Sequence, residues 1–158
     1  MSTLPCLYPS RKSIRLGQSV YLANGLYFIT LCTRDKRCLF GFIENDCLHP
    51  TLLGLQVQQQ IDRMQNNYPG MTIEQSVVMP NHVHLLIARQ NGTGEKIPTL
   101  GRFLSHLKER VSKQCRESIW QRGYYDHIVR TPADLARIRE YIANNPRKWE
   151  LDCEYSRE

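Results

Sequence analysis

Apolar and polar residues change their period several times along the chain, and each change marks an element. Residues 25–33, Gly-Leu-Tyr-Phe-Ile-Thr-Leu-Cys-Thr, are rich in β-branched and aromatic side chains and predict a first strand. A loop over 34–41 follows. From Asp46 to Asn66 the spacing is helical, with Leu53, Val57, Ile61 and Met64 on one face. Pro50 fits such a helix only in its first turn. Asn66-Asn67-Tyr68-Pro69-Gly70 stops it.

Met71–Met79 and His82–Arg89 predict a second and a third strand. Pro80-Asn81 leaves so short a connection that the two should form a hairpin. Residues 90–98 read as a flexible loop. A second helix spans about Thr99 to Arg116, where Leu100, Phe103, Leu104, Leu107 and Val111 form one apolar stripe. Residues 119–130 form an approach segment and a fourth strand. Thr131-Pro132-Ala133-Asp134 then starts a last helix: Thr131 suits the N-cap, Pro132 the first helical position and Asp134 the third. Leu135, Ile138 and Ile142 face its core side. It should end near Asn144, because the residue before Pro146 is biased out of the helical region.

The order is strand, helix, strand, strand, helix, strand, helix. Strand–helix–strand twice over is the pattern of a ferredoxin-like α+β sandwich, with helices on one face of a central antiparallel sheet. The final helix lies beyond that unit and can pack on another part of the sheet. One domain over 25–150 is expected, between an irregular arm (1–24) and a short tail (151–158). Repeats and low-complexity segments are missing from the sequence.

Charge adds a partner to this outline. The chain has 158 residues, a formal net charge of +6 and a pI near 9.1, which favours an acidic partner such as nucleic acid. Arg11, Lys12 and Arg15 in the arm could strap a phosphate backbone. Arg102, Lys108, Arg110 and Lys113 lie on the other faces of the second helix and are candidates for the same role. Arg122, Tyr124 and Tyr125 add a cation and two stacking surfaces. The six cysteines form no CxxC pair, which argues against a structural zinc site. The N-terminus reads as lacking a signal segment, and no apolar run reaches the roughly 20 residues of a membrane span. A cytoplasmic protein with reduced thiols, nucleoid-associated when bound to DNA, is expected.

The third strand carries the distinctive chemistry. His82 and His84 are two apart, so they share one face, while Val83 and Leu85 face the other way. Two imidazoles can begin a metal site but do not complete one. The last helix holds Tyr141 and Asn145, four apart and so on one helical face. If that helix crosses the histidine face, two imidazole nitrogens, an amide oxygen and a phenol converge. A divalent ion on neutral ligands keeps its charge for polarising a phosphate. A tyrosine oxygen can attack phosphorus. Spacing alone leaves Tyr124 and Tyr125 as rival phenols. It also leaves Asn144-Asn145-Pro146 readable as a helix-ending turn, and Asp126-His127 as a second polar pair of open role.

Met79-Pro80-Asn81-His82-Val83-His84 resembles the His-hydrophobic-His signature of HUH endonucleases with one catalytic tyrosine. More narrowly, the chain resembles the REP-associated tyrosine transposases, relatives of the insertion-sequence-200 type. The likeness includes residues 13–16, 25–33, 39–41, 119–127 and 139–149. It implies the HUH version of the fold, with the nucleophile on the C-terminal helix. It also implies cutting of single-stranded DNA beside a palindromic hairpin, a 5′-phosphotyrosine intermediate, a free 3′-OH and strand transfer. On that resemblance Tyr141 is the nucleophile, His82 and His84 are ligands of Mg²⁺ or Mn²⁺, and Asn145 is the third ligand. Many insertion-sequence relatives have Gln on this helix instead. The expected partner is single-stranded or hairpin DNA, and the expected assembly a monomer or homodimer. Two other classes remain open: a module that binds hairpin DNA or an RNA stem-loop without cutting, and a metal-dependent hydrolase of a small phosphate ester.

Overall fold

The computed structural model describes residues 24–92 and 96–151. The proposed strap residues Arg11, Lys12 and Arg15, and the tail beyond Leu151, lie outside them. Four antiparallel strands form the central sheet in the order β4-β5-β1-β6: β1 is Gly25–Cys32, β4 Met71–Met79, β5 His82–Arg89 and β6 Tyr125–Val129. With helices α1 (Leu52–Asn67) and α2 (Leu100–Cys115) between them, this is the expected ferredoxin-like sandwich. Among the described residues no helix is long and apolar enough to cross a membrane.

The strand period sorts side chains to two faces. Tyr27, Ile29 and Leu31 of β1, with Val83, Leu85 and Ile87 of β5, join Val57, Ile61 and Met64 of α1 and the whole α2 stripe in the main core. Burying such a side chain contributes about 1.5–3 kcal/mol. Both helices start on a threonine cap: Thr51 Oγ1 accepts from the Gly54 N–H at 3.1 Å, and Thr99 Oγ1 from the Arg102 N–H at 3.2 Å.

The region before α1 differs from the sequence expectation of a helix starting at Asp46. It forms a separate hairpin of β2 (Gly41–Glu44) and β3 (Cys47–Pro50). Asn45 and Asp46 form its two-residue turn with φ of 51° and 61°, the left-handed geometry that matches strand twist. Pro50 ends β3, and the helix starts only at Leu52.

The opposite sheet face carries α3 (Pro132–Asn144). Ile138 and Ile142 pack on Phe28 of β1 and Leu86 of β5, with Leu135 and Tyr141 at the margin of this second, smaller core. Arg139 Nη2 donates to Glu74 Oε2 at 2.8 Å, and its carbonyl accepts from Gln75 Nε2 at 3.1 Å, at a bulge in β4. At the other end His127 Nε2 lies 2.7 Å from Asp134 Oδ2, which ties β6 to the first turn of α3. The polar pair Asp126-His127 is therefore divided: His127 anchors α3, while Asp126 Oδ2 is buried without a hydrogen-bond partner among the described residues. The helix ends at Asn144 as expected. Asn145 nevertheless keeps helical angles (φ −56°, ψ −44°) before Pro146, and the chain continues as a 3-10 segment, Pro146–Leu151.

Candidate active site

Alternation along β5 turns His82 and His84 to the face that α3 covers, and both are buried. Their Nε2 atoms are 3.0 Å apart. Behind them, His82 Nδ1 lies 2.8 Å from Asn81 Oδ1, and His84 Nδ1 lies 2.8 Å from Thr30 Oγ1. Asn81 Nδ2 donates to the Lys36 carbonyl, which orients the amide with its oxygen toward His82. That oxygen can only accept, so the proton of neutral His82 sits on Nδ1 and its Nε2 lone pair is directed at His84. With both rings neutral, His84 Nε2–H donates to it and His84 Nδ1 accepts from the Thr30 hydroxyl. A hydroxyl both donates and accepts, so Thr30 suits either tautomer of His84.

α3 completes the enclosure. The Tyr141 ring meets His84 with centroids 5.2 Å apart at 60°, and meets Phe28 edge-on at 6.0 Å. Phe28 in turn stacks on His84 at 5.1 Å. Eight residues beyond Tyr141, Trp149 lies against His82 at 5.9 Å. Asn145 is four residues from each, and is buried. Its Oδ1 is one of three buried side-chain oxygens or nitrogens without a hydrogen-bond partner among the described residues. Such an acceptor costs about 1–3 kcal/mol unless a donor or a cation engages it.

Two imidazole nitrogens with an amide oxygen would make a mixed nitrogen–oxygen donor set, of a kind that a divalent transition ion accepts. Two ligands about 2.1 Å from an octahedral ion in adjacent positions stand about 3.0 Å apart, and the Nε2 atoms do so. Among the described residues no three His, Cys, Asp or Glu side chains gather to hold a metal. A third protein ligand would then be of another donor type, and the buried amide oxygen of Asn145 could supply one.

The family profile "Transposase IS200 like" matches residues 44–145. The chain belongs to this family. An uncharacterized protein of Haemophilus influenzae is 35% identical over 170 residues, covering 92% of this chain and 93% of that protein. Another from the same organism, with the provisional name REP-associated tyrosine transposase, is 24% identical over 141 residues, 81% of this chain and 73% of its own. In fold the chain is similar to the structure of a REP-associated tyrosine transposase bound to a REP hairpin. The TM-score is 0.65 at 22% identity, with 89% of this chain and 75% of that one covered.

Of the rival phenols, the structure brings Tyr141 to the histidines and places Tyr124 and Tyr125 two strands away, on the loop into β6 and its first residue. The α2 cations of the transposase lie across the sheet from the histidine pair. Arg102 and Arg110 are exposed there, and Lys113 Nζ meets Glu109 Oε1 at 2.8 Å. Lys108 Nζ turns into the 121–123 loop, where it donates to the carbonyls of Gln121, at 2.8 Å, and Gly123. Burial lowers its ammonium to about 8. Sequence reasoning missed Thr30, Asn81 and Trp149. Asn81 directly precedes His82 and could have been suspected, whereas Thr30 is found only through the β1–β5 register.

Proposed function

We propose that this transposase is a single-strand DNA endonuclease and strand transferase that cuts beside palindromic repeat hairpins through Tyr141, with Mg²⁺ or Mn²⁺ as cofactor. The observation that carries the reading is the Tyr141 ring against His84, with the unpartnered Asn145 oxygen one turn away. His82, His84 and Asn145 would hold the ion. Bound there, it would supply positive charge against a phosphate oxygen.

The protein's own part is positional. Phe28 and His84 fix the Tyr141 ring, and Asn81 and Thr30 fix the imidazoles. The Tyr141 oxygen attacks phosphorus and forms an O–P bond as the P–O3′ bond breaks. The phenol proton leaves to solvent or to the departing 3′ oxygen. The 5′ phosphate stays on Tyr141 and a 3′-OH is released. A 3′-OH attacking the phosphotyrosine reverses the exchange and joins strands.

The test incubates the protein with Mn²⁺ and hairpin oligonucleotides from DNA flanking the gene. A strand labelled at its 3′ end should become attached to the protein, and a 5′-labelled one should release a shorter fragment with a free 3′-OH. Tyr141→Phe should bind the hairpin but form no adduct. An adduct on Tyr141→Phe would refute the nucleophile. Tight binding with no product under any divalent metal would make the chain a non-cleaving hairpin-binding module.

A further inference from the structure

On the face that carries the histidine pair, Thr30 pairs in register with His84 on one side and with Tyr125 on the other. The three side chains therefore form a row across β5, β1 and β6. Strands are about 4.8 Å apart, so Tyr125 lies about 10 Å from His84. At this end of the row is a pocket of about 330 Å³, floored by Thr30 and Cys32 and walled by Tyr124, Tyr125 and the 121–123 loop.

We propose that this pocket receives the base of the unpaired nucleotide next to the phosphate held at Tyr141, and that Arg122 at its rim meets that nucleotide's backbone. The inference rests on the proposed function and adds a specificity site to it. The pocket is at the small end for ligand sites, room for one flat ring and not for a base pair. The Tyr125 ring offers a stacking face, and the Gln121 side chain offers polar contacts to a heterocycle's edge. Arg122 is exposed and suits a phosphate.

The pocket is held in shape without a ligand. Lys108 Nζ donates to the Gln121 and Gly123 carbonyls, and the Gln121 N–H donates to the Cys32 carbonyl at 2.8 Å. Trp120 Nε1 donates to the Lys108 carbonyl, and Gln121 Nε2 to Tyr125 Oη at 3.3 Å. Gly123, at φ 79°, turns the chain into β6. A base entering the pocket would meet walls already ordered, so little affinity is lost to their immobilisation. Beyond the loop, Arg122 also borders a second recess of about 590 Å³, where Arg34, Lys36 and Lys108 outnumber the carboxylates of Asp35 and Glu109.

The test uses Tyr141→Phe protein and a hairpin oligonucleotide from DNA flanking the gene, with an abasic site placed in turn at each unpaired position. One position should weaken binding roughly 10-fold or more, and in a Tyr125→Leu background that penalty should vanish. 5-Iododeoxyuridine at the same position should crosslink to Tyr124 or Tyr125, which needs no pocket variant. Arg122→Gln should lower the salt slope of binding by about one. Indifference to abasic sites everywhere, or a crosslink mapping elsewhere, overturns the proposal. If wild type forms its tyrosine adduct while no position matters, the pocket assignment fails alone. If one position matters but no adduct forms, cutting fails and the base pocket stands.

Discussion

His82 and His84 present their Nε2 atoms to each other at 3.0 Å, each ring held from behind by its own polar partner, Asn81 or Thr30. Such a pair should be released from its mutual hydrogen bond by an ion that accepts both nitrogens. Mn²⁺ at 100 times its Kd should then stabilise the protein by about 2.7 kcal/mol. The gain should disappear in His84→Ala. Thermal unfolding with Mn²⁺ and with EDTA decides it, and an equal gain in the variant would place the ion elsewhere.

Asn145 makes a sharper prediction because its oxygen costs stability while unused. In EDTA, Asn145→Leu should be as stable as wild type or up to about 1 kcal/mol more stable. In Mn²⁺ the order should reverse. Urea unfolding under both conditions measures this, and a variant less stable by several kcal/mol without metal would show that Asn145 has a structural role instead.

Lys108 gives the fold a pH dependence of unusual sign. Its native ammonium titrates near 8, against 10.5 for an ordinary lysine, with burial as the main cause. Between those values the unfolded chain holds a proton that the native state has lost. The unfolded state binds more protons there, so this residue makes stability rise with pH from about 8 to 10.5. Below about 8 both states are charged and its contribution is flat. The stability of wild type minus that of Lys108→Met should be more positive at pH 9.5 than at pH 7.5. Denaturant titrations at the two pH values give the difference, and a constant or falling value would contradict the assignment.

Gly54 sits in the first turn of α1 where the Phe40 carbonyl crosses it, and a Cβ there would run into that oxygen. Helix propensity alone would make Gly54→Ala stabilising by about 1 kcal/mol. Overpacking should win and destabilise by roughly 2–3 kcal/mol. A stabilised variant, measured by urea unfolding, would mean that the β2–β3 hairpin moves aside at little cost.

The elements with long, regular periods were legible in the sequence. The α2 stripe and the histidine alternation in β5 needed only the helix and strand repeats, and the Thr131 cap with Pro132 fixed the start of α3. The β2–β3 hairpin escaped because its strands are four residues each, too short for alternation to show. Its Asn45-Asp46 turn could be mistaken for a helix start. Within the site, the one-turn spacing of Tyr141 and Asn145 was visible, but their placement over β5 depends on α3 crossing to the far sheet face. Thr30 and Trp149 reach the imidazoles through strand register and the 3-10 continuation, neither of which has a local signal.

Tyr141 sets its ring against His84 and Trp149 its indole against His82, and both positions, with Asn145 midway between them in sequence, follow the course of α3. The buried cluster under that helix, Phe28, Leu86, Ile138 and Ile142, is much smaller than the core on the other face of the sheet. Tyr141, Asn145 and Trp149 should therefore open together in a local unfolding step that leaves the larger core closed. Such an opening would carry off the Tyr141 phenol and the Asn145 amide together while leaving the imidazoles on an intact sheet. Those side chains would be put in place, or withdrawn, as one piece.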